Sequence, residues 1–319
     1  MVRNCWSSSS IPIFDMKDLL DPESRSIQLH KFHTACKEWG LFQLVNHGMD
    51  SEMVEKLKQE IHGFYKLPLQ ERLKYAVRPG QFEGYGQTKP AGEEGKVVDW
   101  GERFYMITNP LSKRQPHLLP NFPPSLRETL ETYIQEQQNV ARVILGLIAE
   151  SLGIDGREME EMFVDGMESV RMNYYPPFPE PEKVVGIVPH SDGSAVTTLL
   201  QLNDVEGLQI KKHHNHDDAS DNWLPVKFLP GAIVVILGDI IEVISNGIYK
   251  SVVHRAVVNR EEERLSVATF FNPKLEAEVG PWSSSPSPRL FRTIKSEQYV
   301  QEFFSRKLQK KSFLNYMKI

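Results

Sequence analysis

The chain has 319 residues, 40% of them hydrophobic and 25% charged, the balance of a globular protein with one large domain or two small ones. A formal charge of -5 gives no electrostatic reason to expect nucleic acid as a partner. Two cysteines exclude a disulfide scaffold and a thiolate zinc cluster, and no apolar run approaches the length of a membrane span.

The first ten residues lack the apolar core of a secretory signal, so a reducing, cytoplasmic setting is expected. Ile11-Pro12-Ile13-Phe14-Asp15 has the pattern of a short edge strand, where proline is tolerated. A helix is expected from near Ser24 to Trp39, stopped by Gly40, and then a strand over Leu41–Val45. The following Asn46-His47-Gly48 is assigned to turn chemistry rather than ligation. Ser51 suits the N-cap of a helix carrying Val54, Leu57, Ile61 and Phe64 on one face. The glycine- and charge-rich stretch from Tyr75 to Asp99 is expected as a loop over one mouth of the fold. A long helix should follow Pro124, with Leu126, Leu130, Tyr133, Val140, Ile144, Leu147 and Ile148 close to helical spacing.

From Ser169 onward the texture changes to short apolar runs with polar breaks. Strands are expected over 170–175, 184–188, 195–202, 207–211, 223–228, 232–237, 252–258 and 265–271. Eight short strands, with turns such as Pro230-Gly231 and Asn246-Gly247, predict a double-stranded β-helix, or jelly roll. Gly238-Asp239 is expected as a tight structural turn, and the segment from Ser296 to Lys310 as helix. The fold class is therefore mixed α+β, a jelly-roll core flanked by helices. Its parsing is a helical N-terminal layer with short strands over 1–168, the catalytic core over 169–294 and a C-terminal helix over 295–319, forming one structural unit.

Two strings carry the chemistry: His190-Ser191-Asp192, and His254-Arg255 followed by Arg264-Leu265-Ser266. Two histidines and one carboxylate, with nothing softer nearby, are the donor set of a non-haem iron(II) oxygenase, which leaves about three coordination positions open. Side chains at i and i+2 of a strand share a face, so His190 and Asp192 converge while His254 arrives from another strand. Arg264 and Ser266 obey the same rule. An arginine fork and a hydroxyl suit the carboxylate of a keto-acid cosubstrate. Tyr175 either directs its hydroxyl toward that cosubstrate or is a buried tyrosine satisfied by backbone. A competing H-x-D spacing, His216-Asp217-Asp218, sits in a polar run after Lys211 and reads as a solvated hairpin loop.

The strings Trp39-Gly40-Leu41-Phe42-Gln43-Leu44-Val45-Asn46-His47-Gly48, Asn173-Tyr174-Tyr175-Pro176-Pro177, His190-Ser191-Asp192, His254-Arg255 and Arg264-Leu265-Ser266 resemble those of plant 2-oxoglutarate- and iron(II)-dependent dioxygenases across nearly the whole length. Met172-Asn173-Tyr174-Tyr175, Asn246-Gly247-Ile248-Tyr249 and Glu263-Arg264-Leu265-Ser266 are most similar to the senescence-related, codeine O-demethylase-like branch. The resemblance implies iron(II) held by His190, Asp192 and His254, and 2-oxoglutarate anchored by Arg264 and Ser266 with Tyr175 and Asn173. It also implies ascorbate as a stimulant. Substrate contacts are expected from Phe270 and Asn272, and more weakly from Phe104 and Met106. A flat apolar molecule fits such a pocket, whereas an acidic one would need a further base, for which Arg171 is the candidate. The implied reaction is hydroxylation, or O- or N-demethylation, of a plant specialised metabolite such as an alkaloid or phenolic, releasing succinate and CO2. A small-molecule substrate and O2 are the expected partners of a monomer.

The alternatives are a ligand-binding member that has lost turnover, a hormone or flavonoid oxidase of the same superfamily, and a zinc hydrolase on the same triad. Two departures accompany the resemblance. Phe178 replaces a cysteine common after the Pro-Pro pair, and ten residues precede Ile11 where the family carries a longer arm, which implies a less closed mouth.

Overall fold

The long helix expresses its sequence pattern directly. In the computed structural model, which describes residues 10–88, 98–211, 223–282, 288–305 and 312–319, it spans Leu126–Leu152. All seven of the apolar residues that predicted it are buried. The break in their spacing falls at Gln137, which is also buried. Its Oε1 accepts a hydrogen bond from Thr198 Oγ1 at 2.6 Å in the sheet below. Gly153 stops the helix in the left-handed region, at φ 67°.

All eight expected strand segments contain strand, and the 184–188 run divides into Val184–Val185 and Ile187–His190. They form two sheets. The larger runs Ile13–Asp15, Leu41–Val45, Ile233–Leu237, Val196–Gln201, Arg264–Phe271, Glu168–Tyr175, Gly101–Asn109 and Gly84–Thr88. The smaller runs Trp223–Pro225, Leu208–Lys211, Val253–Ala256 and Ile187–His190. Half of the larger sheet's strands precede residue 168, so the early part of the chain extends the barrel wall as well as supplying helices. Ile13–Asp15 does lie at an edge, parallel to Leu41–Val45.

Both faces of the larger sheet are covered, and strand alternation divides its residues between them. Phe104, Met106, Val170, Met172, Leu265 and Val267 pack outward into a core shared with Tyr133 and Ile144 of the long helix. The intervening residues, among them Arg103, Arg171, Asn173, Arg264 and Ser266, face a cavity of about 380 Å³ that the smaller sheet closes from the other side.

Three local expectations are corrected. The cap of the helix Ser51–Lys66 is Asp50, whose Oδ1 accepts from Glu52 N at 2.8 Å, because its extended backbone leaves the carboxylate facing the open amides. The stretch from Tyr75 to Asp99 contains the strand Gly84–Thr88, paired antiparallel with Gly101–Asn109. Gly238-Asp239 opens a short helix, Asp239–Ile244, rather than a simple turn. The His216-Asp217-Asp218 run lies outside the described residues.

Glu168 joins the sheet to the long helix through Gln138 Nε2, which donates to its carboxylate at 2.7 Å. Burial raises this carboxyl to about 6, against the Gln138 bond that favours the charged form. The folded state therefore binds this proton more tightly than the unfolded chain. The resulting contribution is favourable below about pH 4.5 and is lost as pH rises through about 6. Discounted for partial exposure, the difference is worth about 1 to 2 kcal/mol. We expect Glu168→Gln to be more stable relative to the wild type at pH 7.5 than at pH 4.5, by about that amount. Urea unfolding at the two pH values checks this, and an equal effect at both would contradict it.

Candidate active site

The smaller sheet brings the two histidines together. His190 ends Ile187–His190 and pairs in register with His254 of Val253–Ala256, their ring centroids 4.4 Å apart. Each ring is fixed from behind by the carbonyl two residues earlier: Val188 O lies 2.8 Å from His190 Nδ1, and Val252 O lies 3.2 Å from His254 Nδ1. A carbonyl can only accept, so each Nδ1 carries the proton and each Nε2 presents a lone pair.

Those lone pairs face Asp192. Its Oδ1 is 3.6 Å from His190 Nε2 and 3.7 Å from His254 Nε2, too far for hydrogen bonds, and its buried Oδ2 has no partner among the described residues. Burial alone would raise the Asp192 carboxyl, but the two imidazoles outweigh it and hold the group below the usual carboxylate range. Burial likewise pushes His254 down to about 4, against the attraction of Asp192, so that imidazole is neutral at pH 7. Three buried acceptors converging on one point is an unfavourable arrangement unless a cation joins them. Among the described residues this is the only group of three or more His, Cys, Asp or Glu side chains close enough to share an ion.

The loop carrying Asp192 is braced by a close backbone approach. Asp239 N donates to Asp192 O at 2.8 Å and Gly238 N to Ala195 O at 2.9 Å. A Cβ at Gly238 would fall 2.0 Å from Ser194 O and 2.9 Å from Asp192 O. Gly238→Ala should displace the Asp192 loop and weaken iron affinity by roughly 10- to 100-fold, as loss of an outer-shell support does elsewhere. Iron titration of the folded variant checks this, and unchanged affinity would contradict it.

The larger sheet holds the second cluster. Arg264 pairs across strands with Tyr175, and Ser266 with Asn173, so the four side chains form two adjacent rungs. Arg264 is 1% exposed, and neither its Nε nor its Nη2 has an acceptor among the described residues. Its Nη1 reaches Ser266 Oγ at 3.5 Å, and its guanidinium carbon lies 5.4 Å from the centre of the Tyr175 ring. That ring sits in a slot, since a Cβ at Gly186 would fall 2.7 Å from Tyr175 Cδ1. Asn173 Nδ2 reaches Ser266 Oγ at 3.4 Å, and its buried Oδ1 has no partner among the described residues.

Comparison with known proteins agrees with this chemistry. Residues 167–273 match the model of the 2OG-Fe(II) oxygenase superfamily, and residues 11–125 that of the non-haem dioxygenase in morphine synthesis N-terminal family. Codeine O-demethylase of Papaver somniferum is 46% identical over 316 residues, spanning 97% of this chain and 86% of the relative. Oxoglutarate-dependent flavonoid 7-O-demethylase 1 of Ocimum basilicum is 44% identical over 98% of this chain and 82% of its own. The crystal structure of JOX2 in complex with 2OG, Fe and JA superposes with a TM-score of 0.86 at 32% identity, covering 97% of this chain and 89% of that one.

The chain belongs to the 2OG-Fe(II) oxygenase superfamily. An oxygenase of this family is an iron(II)- and 2-oxoglutarate-dependent enzyme, and the residues present fit both groups. The two lone pairs and the carboxylate suit a divalent ion, and the unpaired Arg264 suits a carboxylate at the far end of a keto acid.

Of the other expected substrate contacts, Phe270, Asn272 and Arg171 line the cavity of this oxygenase. Asn272 has its amide committed to Met167 O at 3.0 Å. Phe104 and Met106 do not line it. They alternate to the outer face, where Phe104 packs on Phe64 and Tyr75. The cavity residues on that strand are Arg103 and Tyr105, one position away. Two aromatic contributors were not anticipated: Phe82 stacks on Phe304 of the helix Ser296–Phe304 at 4.4 Å, closing one side of the mouth. Phe178 packs on Trp100, with centroids 5.0 Å apart, as neutral filling. His47 contacts Gly231 O at 3.0 Å beside the left-handed Asn46, in keeping with a turn role.

Proposed function

We propose that the enzyme oxidises an O-methyl or nearby C–H bond of a flat, methoxylated plant metabolite in the cavity between its two sheets. The observation that carries this reading is the facing of two fixed imidazole lone pairs and Asp192, on one cavity wall, by the unpaired Arg264 on the other. His190, Asp192 and His254 hold iron(II). Arg264 and Ser266 bind the far carboxylate of 2-oxoglutarate, while Tyr175 and Asn173 close over it. Together with dioxygen these groups supply oxidation of a C–H bond and release succinate and carbon dioxide.

The protein's own part is placement and exclusion. The Val188 and Val252 carbonyls hold both imidazoles in the tautomer that presents Nε2. Asp192 is held below the usual carboxylate range and would stay ionised beside a bound cation. Tyr105, Phe270 and Phe304 line the cavity and keep water from the reacting carbon. Hydroxylation of a methoxy carbon gives a hemiacetal, which falls apart to formaldehyde and a free hydroxyl.

The demethylase names of two relatives that share nearly the whole chain support O-demethylation as the outcome. No helix among the described residues is long and apolar enough to cross a membrane. The two cysteines and the acidic balance favour a cytoplasmic setting.

The test is turnover of a panel of methoxylated alkaloids and phenolics with iron(II), 2-oxoglutarate and oxygen. Formaldehyde and succinate should appear in equal amounts with an active substrate. Turnover that persists without 2-oxoglutarate would contradict the reading and favour a hydrolase on the same triad.

A further inference from the structure

The inner face of the larger sheet is a ladder whose rungs are set by strand register. Arg264 with Tyr175 forms the first rung, and Ser266, Asn173 and Arg103 the second. Ala268, Arg171 and Tyr105 form the third. The fourth carries Phe270 opposite Ser169. At about 3.4 Å per residue, the Arg171 backbone lies roughly 13 Å along its strand from Tyr175 and one rung beyond Ser266 and Asn173, while its charge still reaches the Tyr175 hydroxyl. Opposite Arg171 the register places Ala268, whose single methyl leaves the guanidinium open to the cavity.

Charge makes this second arginine pair informative. Among the described residues, four arginines and one carboxylate, Asp192, line the cavity. Arg255 is engaged elsewhere, donating to Gln209 Oε1 at 2.9 Å and stacking on Trp223 at 4.2 Å. In the loaded enzyme, iron(II), Asp192, the 2-oxoglutarate dianion and Arg264 cancel one another in formal charge. Arg103, Arg171 and Arg255 are left over, and Arg255 is held away by the neutral Gln209 and Trp223. Arg171 Nε is buried with no acceptor among the described residues, and neither the Arg171 nor the Arg103 guanidinium forms an ion pair within 4.0 Å among them. The one carboxylate acting on Arg103 from nearby, Asp99, also accepts from Val188 N at 3.0 Å. Burial pushes the neighbouring Tyr105 hydroxyl up to about 12, so it remains a neutral donor beside Arg171.

Resting on the oxygenase reading above, we propose that the substrate is an organic oxyanion, a carboxylate or phenolate on a flat apolar body, whose charged end pairs with Arg171 and Arg103. Two guanidinium forks on the second and third rungs suit one oxyanion. The body then lies across Phe270 and beneath the Phe82–Phe304 stack. The same uncompensated charge disfavours a protonated amine, so a cationic alkaloid is a poorer fit than a phenolic or carboxylic acid.

The experiment is anaerobic calorimetry on protein loaded with iron(II) and 2-oxoglutarate. The probes are 4-methoxycinnamate, its methyl ester, 4-methoxyphenethylamine and 2-methoxy-4-nitrophenol, the last measured below and above its own ionisation. At least one anion should bind tenfold or more tightly than the ester and the amine. Whether the carboxylate or the phenolate leads identifies the source of the charge. The double variant Arg103→Gln/Arg171→Gln should lose the preference while keeping the visible absorption of the iron–2-oxoglutarate complex. Arg103→Gln alone, at an exposed position, should lose part of it. Ester or amine binding as tight as the anions would overturn the proposal. So would no binding of either anion, or a preference that survives the double substitution. A wild-type protein with no iron–2-oxoglutarate absorption would sink the cofactor reading separately, because calorimetry reads the anion preference on its own.

Discussion

Asp192→Ala will abolish stable iron(II) binding and reduce turnover by on the order of 10³-fold or more, since a metal ligand contributes several kcal/mol to the reacting state. The structure explains why no neighbour can substitute. Among the described residues Asp192 is the only carboxylate lining the cavity, and it faces the two Nε2 atoms at 3.6 and 3.7 Å. Without it, two imidazoles remain, a set that holds iron(II) weakly. The unliganded fold should survive, because the substitution removes a buried carboxylate whose Oδ2 has no partner among the described residues. Iron content after desalting, succinate release and the melting temperature of the apo protein separate these outcomes. Turnover near the wild-type rate would end the assignment.

Arg264→Met should act in opposite directions on the cofactor and on the fold. Removing one partner of a buried charge pair costs about 3–5 kcal/mol, so 2-oxoglutarate affinity should fall by roughly 10²- to 10⁴-fold. Arg264→Lys should recover little of this, because an ammonium cannot reproduce the planar fork. In the unliganded protein, however, Arg264 is a fully buried cation with two nitrogens lacking acceptors among the described residues, and burial lowers its proton affinity. An apolar side chain of similar length should therefore raise the melting temperature of the apo protein while lowering that of the protein saturated with 2-oxoglutarate. A variant that melts lower in both states would show Arg264 to be a structural residue rather than a cosubstrate anchor.

Much of the site was legible because its chemistry is local. His190 and Asp192 share a strand end, Arg264 and Ser266 share a face, and each pair is two residues apart, so alternation alone predicts convergence. The eight later strands were legible for a similar reason, as apolar runs broken by turns. Position relative to other strands was not. Phe104 and Met106 looked like pocket residues because they are apolar. The larger sheet is buried on both faces, and its outer face meets a helix that demands apolar partners. The cavity receives Arg103 and Tyr105 instead. Arg171 could be named from the sequence, but its companion Arg103 could not, because their proximity depends on the register between two strands far apart in the chain. The Phe82–Phe304 stack was hidden for the same reason, since those residues lie at opposite ends of the sequence. Gly238 was legible as part of a tight structural turn, but its role of leaving room for Ser194 O beside the Asp192 loop was not.

In the proposed enzyme one cavity wall holds iron(II) and the other anchors 2-oxoglutarate to it. Anaerobic titration of iron(II) into the apo protein with 2-oxoglutarate present tests it most directly. A weak visible charge-transfer absorption should grow to one equivalent of iron, be absent from Asp192→Ala, and require far more 2-oxoglutarate in Arg264→Met. Iron that binds without producing that absorption at any 2-oxoglutarate concentration would contradict the account.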